Sequence, residues 1–239
     1  MSKTRLQESL SGIRDIFPLV VGAAPFGVIF GTLAQSSGLS FWGGMGLSAI
    51  VFAGSAQFVA LGLIAAGTSV PLIILTTFVV NLRHLLYSAS LVPHVRHLSP
   101  LWKVLTGFWL TDESFAASIN RYRQPDRSPY KHWHYLGACL FMYLNWQLWT
   151  LVGLTLGQLI PDANRWGLDF AMIATFIGMI VPYVTRSAMV ATVGVSGLVA
   201  VATYGLPHKL GLIVAALAGV AAGFVNDKRN HLRSGIAHE

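Results

Sequence analysis

Long apolar runs separated by short charged breaks organise this chain. From Ile16 to Leu82 there is no Asp, Glu, Lys or Arg, and His132 to Pro161 is a second such run. An α-helix crosses the hydrocarbon of a bilayer with roughly 20 apolar residues, so the first run alone has room for three crossings. Strands of a membrane barrel would alternate over about 10 residues between turns, and no such alternation is present. The pattern predicts helices at about 16–34, 43–66, 69–92, 102–119, 133–160, 168–184, 187–204 and 209–225. The expected fold class is therefore all-α: a polytopic integral membrane helix bundle of about 7–8 hydrophobic segments forming a single transmembrane domain over 1–239.

The strongest break is "NRYRQPDRSPYKHW", residues 120–133, where charge, two prolines and aromatics coincide. It divides the chain into halves, 14–120 and 132–226, joined by a basic loop, with 227–239 left as a polar tail. Lys3, Arg5 and Arg14 open the chain, Arg121, Arg123, Arg127 and Lys131 cluster in the central loop, and Lys228, Arg229 and Arg233 lie in the tail. Basic loops stay cytoplasmic, so both termini are expected inside. Four crossings carry the second half from Lys131 back to Lys228 on one side. The first half fits less well, because Arg96 and Lys103 flank the entry of its fourth segment, which a four-crossing count puts outside. Either that loop tolerates two positive charges, or a segment near "AGSAQF" or "TDES" enters and leaves on the same side. Seven and eight crossings both remain open. "GVIFG" (Gly27, Gly31) and "GLTLG" (Gly153, Gly157) form an internal echo of the kind seen in repeated transporter halves with broken or re-entrant helices.

Composition agrees: 54% of residues are hydrophobic and 10% charged, against about a quarter charged in soluble domains. The net charge of +7 resides in short loops rather than in a stripe with interleaved aromatics, which argues against nucleic-acid binding. The single cysteine, Cys139, excludes an intrachain disulfide. The N-terminal apolar run is too long for a cleavable signal and leads directly into more membrane sequence.

Polar residues inside these runs are the candidates for chemistry. "AGSAQF" sets Gly54, Ser55 and Gln57 amid apolar flanks. Three readings compete: close helix packing, a broken helix whose freed backbone groups line a cavity, and Ser55 as a nucleophile, which would need a base in reach. "NLRHLLYSASLVPH" places Asn81, Arg83, His84, Tyr87 and Ser88 late in a segment. An arginine there either snorkels to the headgroups, or faces inward to pair with a carboxylate, its own or a substrate's. The available intramembrane acids are Asp112 and Glu113 in "TDES", and Asp169 in "WGLDF". Each is read either as a helix-capping acid or as a buried proton carrier, since burial raises a carboxyl group toward neutral titration. Gly211, Ala215, Gly219 and Gly223 recur every four residues, a packing stripe for this chain or a partner. Asn145 and Gln147 sit inside an apolar run as packing hydrogen-bonders, with Trp133 and Tyr135 as an aromatic border. There is no HExxH or phosphate loop, "HVRH" at His94–His97 lacks a carboxylate, and neither a metal nor a cofactor is expected.

"PFGVIFGTLA", "VFAGSAQFVALGLI", "NLRHLLYSASLVP", "TDESFA" and "GLDFAMIATFIG" occur in that order. Together they resemble the AzlC family, the large subunit of bacterial branched-chain amino acid exporters, from about Ile16 to Phe224. The resemblance implies a multi-pass inner-membrane exporter of leucine, isoleucine, valine and related amino acids such as methionine, and a small AzlD-type membrane subunit as partner. It supplies no site residues. From the residues themselves, Gly54, Ser55, Gln57, Phe58, Asn81 and Arg83 are expected to bind substrate, with aliphatic space around Phe52 and Phe58. Asp112, Glu113 and Asp169 are expected to couple protons. Without a nucleotide site, uphill export must draw on an ion or proton gradient. The rival readings are an intramembrane serine enzyme built on Ser55, a passive amino-acid channel, and a purely structural subunit.

Overall fold

The computed structural model describes residues 3–126, 128–159, 177, 181, 184–206 and 210–236. All regular structure among them is helical. The chain divides into two compact units, one of Met1–Ala66 with Thr77–Ala171 and one of Gly67–Thr76 with Met172–Glu239.

The first unit is organised by α1 (Arg5–Ser36) and α8 (Lys131–Leu159). Both are long and apolar enough to cross a membrane. Thr4 starts α1 with a capping box, its hydroxyl accepting from the Gln7 amide while the Gln7 side chain accepts from Thr4 N. The two helices approach closely because glycine removes the side chains between them. A Cβ on Gly31 would lie 2.3 Å from Thr150 O, and one on Gly153 2.2 Å from Val28 O. Polar groups follow the same seam: Ser9 Oγ donates to Trp133 O (3.1 Å), Asn145 Nδ2 to Val20 O (3.2 Å) and Gln35 Nε2 to Leu154 O (3.1 Å). Contacts advance together along both chains, so α1 and α8 run parallel and begin at the same end.

Between them the predicted segments are broken. The expected helix over 43–66 is α2 (Phe41–Ile50) and α3 (Gly54–Ala65), separated by Val51, Phe52 and Ala53. The expected helix over 69–92 is α4 (Val70–Asn81) and α5 (Arg83–Val95), bent by 42°. The expected 102–119 is α6 (Pro100–Phe108) and α7 (Asp112–Arg123). Among the described residues two helices are long enough to span a membrane, or three if the bent pair α4–α5 counts as one. The count of segments expected from the apolar runs is thus not recovered, because apolar periodicity does not register a change of direction inside a run.

The α6–α7 pair is a hairpin. Trp102, near the start of α6, packs on His132 and Trp133 at ring separations of 4.6 and 5.2 Å, beside the start of α8. At the far end of α7, Arg121 binds Glu8 near the start of α1, and Lys131 Nζ donates to Gln124 O (2.6 Å). Both ends therefore lie where α1 and α8 begin, while the tip at Trp109 meets Tyr143 (6.1 Å between rings), about 18 Å along α8 at 1.5 Å per residue. His94, late in α5, stacks on Tyr122 near that same end (5.4 Å). The α5–α6 corner carrying Arg96 and Lys103 consequently shares a side with Arg5, Arg121 and Lys131. This hairpin is the geometry that the alternative of a returning segment near "TDES" requires.

A second correction concerns Arg121, read above as one of a cluster of loop charges. It is 3% exposed and sits in α7. Its guanidinium holds the fully buried Glu8 through Nε (2.9 Å) and Nη2, and Asp126 through Nη1 (2.9 Å). A lone buried charge is costly. Here two carboxylates and Gln124 satisfy it.

In the second unit, α9 (Ser187–Ala202) pairs with α10 (Leu210–Ile236). The small-residue stripe faces α9: a Cβ on Gly219 would lie 2.8 Å from Ser196 Cβ, and one on Gly223 2.1 Å from Thr192 Oγ1. Ala215 in the same stripe is buried, and a Cβ on Gly211 would meet Thr203 O at 2.4 Å. The expected helix over 168–184, with Asp169, lies almost wholly outside the described residues.

Candidate functional site

Three interruptions of the first unit converge on the middle of α8. The break between α2 and α3 leaves Val51 O without a helical partner, and Gln57 satisfies it, Nε2 donating at 2.5 Å. Gln57 Oε1 in turn accepts from Trp146 Nε1 (3.1 Å). Further along α8, Tyr143 OH donates to Ala49 O (3.1 Å), Gln147 Nε2 to Ser48 O (3.1 Å), and Thr150 Oγ1 shares a hydrogen bond with Ser48 Oγ (3.0 Å). Residues 143, 146, 147 and 150 are one helical face. That face is a polar ladder holding the end of α2 and the start of α3. Gly54 is small because Trp146 covers it: a Cβ there would lie 3.3 Å from the indole edge.

Ser55, in the first turn of α3, is buried. Its hydroxyl accepts from Arg83 Nη2 at 2.5 Å. Arg83 is the first residue of α5, immediately after the bend. Its Nη1 donates to Asp112 Oδ2 at 2.6 Å, with the two side chains 30% and 19% exposed. Asp112 opens α7 at the hairpin tip, where Thr111 caps the helix through a reciprocal box with Ser114 and Asp112 and Glu113 occupy its first turn. The capping and charge-pairing readings of "TDES" are therefore not alternatives: α7's N-terminus favours an acid there, and the same acid receives the arginine.

The cluster is incompletely satisfied. Arg83 Nε, Asp112 Oδ1, Asn81 Oδ1 and His84 Nε2 are all buried without a hydrogen-bond partner. Buried polar atoms are normally paired, and this set, richer in acceptors than in donors, makes the cluster the candidate site. Aromatic rings enclose it on the α5–α7 side, with Tyr87 stacked on Phe115 at 4.7 Å and His84 edge-on to Tyr87 at 5.9 Å.

Of the residues singled out in the sequence, Ser55, Arg83 and Asp112 are brought together by direct hydrogen bonds, with Asn81 just before the bend. Gln57 is turned to the helix break. Phe58 is 1% exposed and packs edge-on against Phe30 at 6.0 Å. Glu113 is half-buried beside Asp112. The Ser55 hydroxyl is engaged by a guanidinium, which cannot act as the base a nucleophile requires. Sequence reading passed over Trp146, Tyr143, Ser48 and Thr150. The only signal for the three on α8 was the spacing of polar-tipped residues along its apolar run, and Ser48 on α2 had none. Asn145 and Gln147 do act in packing, as expected, both through backbone carbonyls.

Apolar spanning helices, interrupted helices and an inward-facing arginine–aspartate pair define a helical membrane protein with a polar site inside its bundle. Residues 18–160 match the AzlC protein family, and the chain belongs to that family. It is 30% identical over 222 residues to the inner membrane protein YgaZ of Escherichia coli K12, covering 90% of this chain and 87% of the relative. It is 31% identical over 160 residues to the branched-chain amino acid transport protein AzlC of Bacillus subtilis 168, covering 67% and 61% of the two chains. An uncharacterized membrane protein of Archaeoglobus fulgidus is 32% identical over 211 residues, covering 87% and 90%. No solved structure matches the chain.

Proposed function

We propose that this chain is the large subunit of a secondary transporter that exports branched-chain amino acids (leucine, isoleucine, valine) and related amino acids such as methionine across the bacterial inner membrane. The observation that carries the reading is the Ser55–Arg83–Asp112 cluster with its four unpaired buried atoms. An amino-acid zwitterion complements that set. Its carboxylate enters at the unpaired Arg83 Nε and takes over the guanidinium from Asp112 Oδ2, a geometry suited to two parallel hydrogen bonds. Its ammonium has three donors for Asp112 Oδ1 and Asn81 Oδ1. The aliphatic side chain is received by apolar walls around Phe52 and Phe58, which select by shape.

In this scheme the substrate carboxylate competes with Asp112 for Arg83. Once displaced, Asp112 either holds the ammonium or takes a proton, with Glu113 as its neighbour, and this exchange couples export to the proton gradient. Asp169 stays a further candidate proton carrier. The break at Val51–Ala53 and the α6–α7 tip supply irregular backbone at depth, which is tolerated where it lines a cavity rather than lipid. The basic side shared by Arg5, Arg96, Lys103, Arg121 and Lys131 is read as the cytoplasmic one by the positive-inside rule, and the basic residues near each end make both termini expected in the cytoplasm. A small AzlD-type subunit is the expected partner.

The test is counterflow of labelled leucine in proteoliposomes containing this chain with and without the small subunit, in the presence and absence of a pH gradient. The proposal expects counterflow, its acceleration by an inward-directed proton gradient, and loss with Arg83→Gln. Ser55→Ala should weaken apparent leucine affinity a few-fold while leaving maximal flux; turnover of a substrate bond by the unaltered chain that Ser55→Ala abolishes would favour the enzyme reading. Dissipation of a leucine gradient without counterflow would leave a channel instead.

A further inference from the structure

We propose that the first unit carries a binding site for an anionic phospholipid at the α5–α6 corner, separate from the Arg83 site. A cavity of about 270 Å³ opens there. Leu91, Val92, Val95 and Leu110 form its apolar walls, and the exposed side chains of Arg96 and Lys103 line its rim. Val92 is 53% exposed, and Leu101 and Val104 on neighbouring α6 are each 67% exposed. In a chain with spanning helices, such outward aliphatic side chains face acyl chains. The cavity therefore opens toward lipid, and its two cations lie at the end of the unit where α1 and α8 begin, at headgroup level.

Aromatic side chains mark that level independently. Trp102 packs with Trp133 and His132, and Arg5 stands over the rings of Tyr130 and Trp133 at 5.4 and 5.7 Å. Interfacial aromatics sit at this depth. Neither Arg96 nor Lys103 has an acidic partner within ion-pair distance among the described residues. The deeper wall is closed by Tyr122, 7% exposed, whose hydroxyl is buried and unpartnered. An apolar slot ending in two uncompensated cations at headgroup level matches one ligand chemistry: an acyl chain bearing an anionic phosphodiester. A zwitterionic amino acid would bring its ammonium to a rim that holds two cations and no carboxylate.

The structure also supplies a clean way to fill the slot. Gly107 lines it, and a Cβ at that position would meet no atom within 4 Å. The experiment uses the purified full chain in detergent, titrated with phosphatidylglycerol brominated along its acyl chains or with equally brominated phosphatidylcholine, and reads quenching of tryptophan fluorescence. Saturable quenching by the phosphatidylglycerol at concentrations where phosphatidylcholine has little effect is expected. Arg96→Gln with Lys103→Gln should weaken it by about thirtyfold, and Gly107→Leu should remove it, both with unchanged helical circular dichroism. Equal quenching by the two lipids, or insensitivity to both variants, would overturn the site. So would displacement of the lipid by millimolar leucine, which would make the cavity an amino-acid passage.

Discussion

Removing the charge of Asp112 while leaving Arg83 in place is the most informative perturbation of the site. The two groups bond at 2.6 Å, and unit charges with centres about 4 Å apart attract by about 4 kcal/mol at an effective dielectric near 20. Side chains 30% and 19% exposed keep part of their hydration, and solvent screening reduces the net coupling to about 2 kcal/mol. The two single substitutions should not be equivalent. Asp112→Asn strands a permanently cationic guanidinium, whereas Arg83→Gln leaves a carboxylate still favoured by the N-terminus of α7. We therefore expect Asp112→Asn to destabilise by about 3 kcal/mol, Arg83→Gln by about 2 kcal/mol, and the double variant by about 2 kcal/mol less than their sum. Reversible unfolding in mixed micelles, followed by circular dichroism, measures all four corners of the cycle. Leucine counterflow should stay lost in the double variant, which should be no less stable than Asp112→Asn alone. Additivity within about 0.5 kcal/mol would show that the pair is not coupled, and recovered transport in the double variant would show that neither charge handles substrate.

Two further outcomes follow from the seams around the site. Gly31→Ala should cost more than about 3 kcal/mol or abolish folded yield, since its Cβ would press on the backbone at Thr150 O and Leu154 N (2.3 and 2.6 Å), while Gly22→Ala, with nothing within 4 Å, should be neutral or mildly stabilising; thermal unfolding in detergent distinguishes them. Asp126, hydrogen-bonded first by Arg121 and then by Lys131, has its carboxyl held well below the usual carboxylate range. A folded-state value below the unfolded one means that its contribution to stability is complete above the unfolded value near pH 4 and fades as pH falls further. Asp126→Asn should therefore lower stability at neutral pH and flatten the acid limb of an unfolding-versus-pH curve, the two proteins converging at low pH; an unchanged acid limb would refute the pairing.

Parts of the site were legible along the chain because the bilayer makes polar residues conspicuous. Ser55 and Gln57 interrupt a strongly apolar stretch, Arg83 ends a run without Asp, Glu, Lys or Arg, and Asp112 and Glu113 are the only acids between it and the central loop, so the physical penalty for burying them implies a partner. Which partner could not be read. Asp112 and Ser55 lie 29 and 28 positions from Arg83, and no local periodicity links them. Arg121 was misread for a related reason. It sits among loop charges in sequence, and only the return of α7 to the start of α1 brings it to Glu8.

What the amino-acid order determined by itself is the solvent: apolar runs of this length, with charge confined to their ends, have to be helical and have to lie in lipid, because each backbone group must then find its partner within its own helix. The order also marked the weak points, at "AGSAQF", "NLR" and "TDES", where small and polar residues interrupt those runs. Tertiary structure alone decided that these three points meet beside the middle of α8, and that α6 and α7 turn back to the side they came from. Hydrophobicity is the same for a helix that crosses and one that returns. Direction is decided by side chains distant in sequence: the Trp102 cluster and the Arg121–Glu8 pair at one end, the Arg83–Asp112 pair at the other.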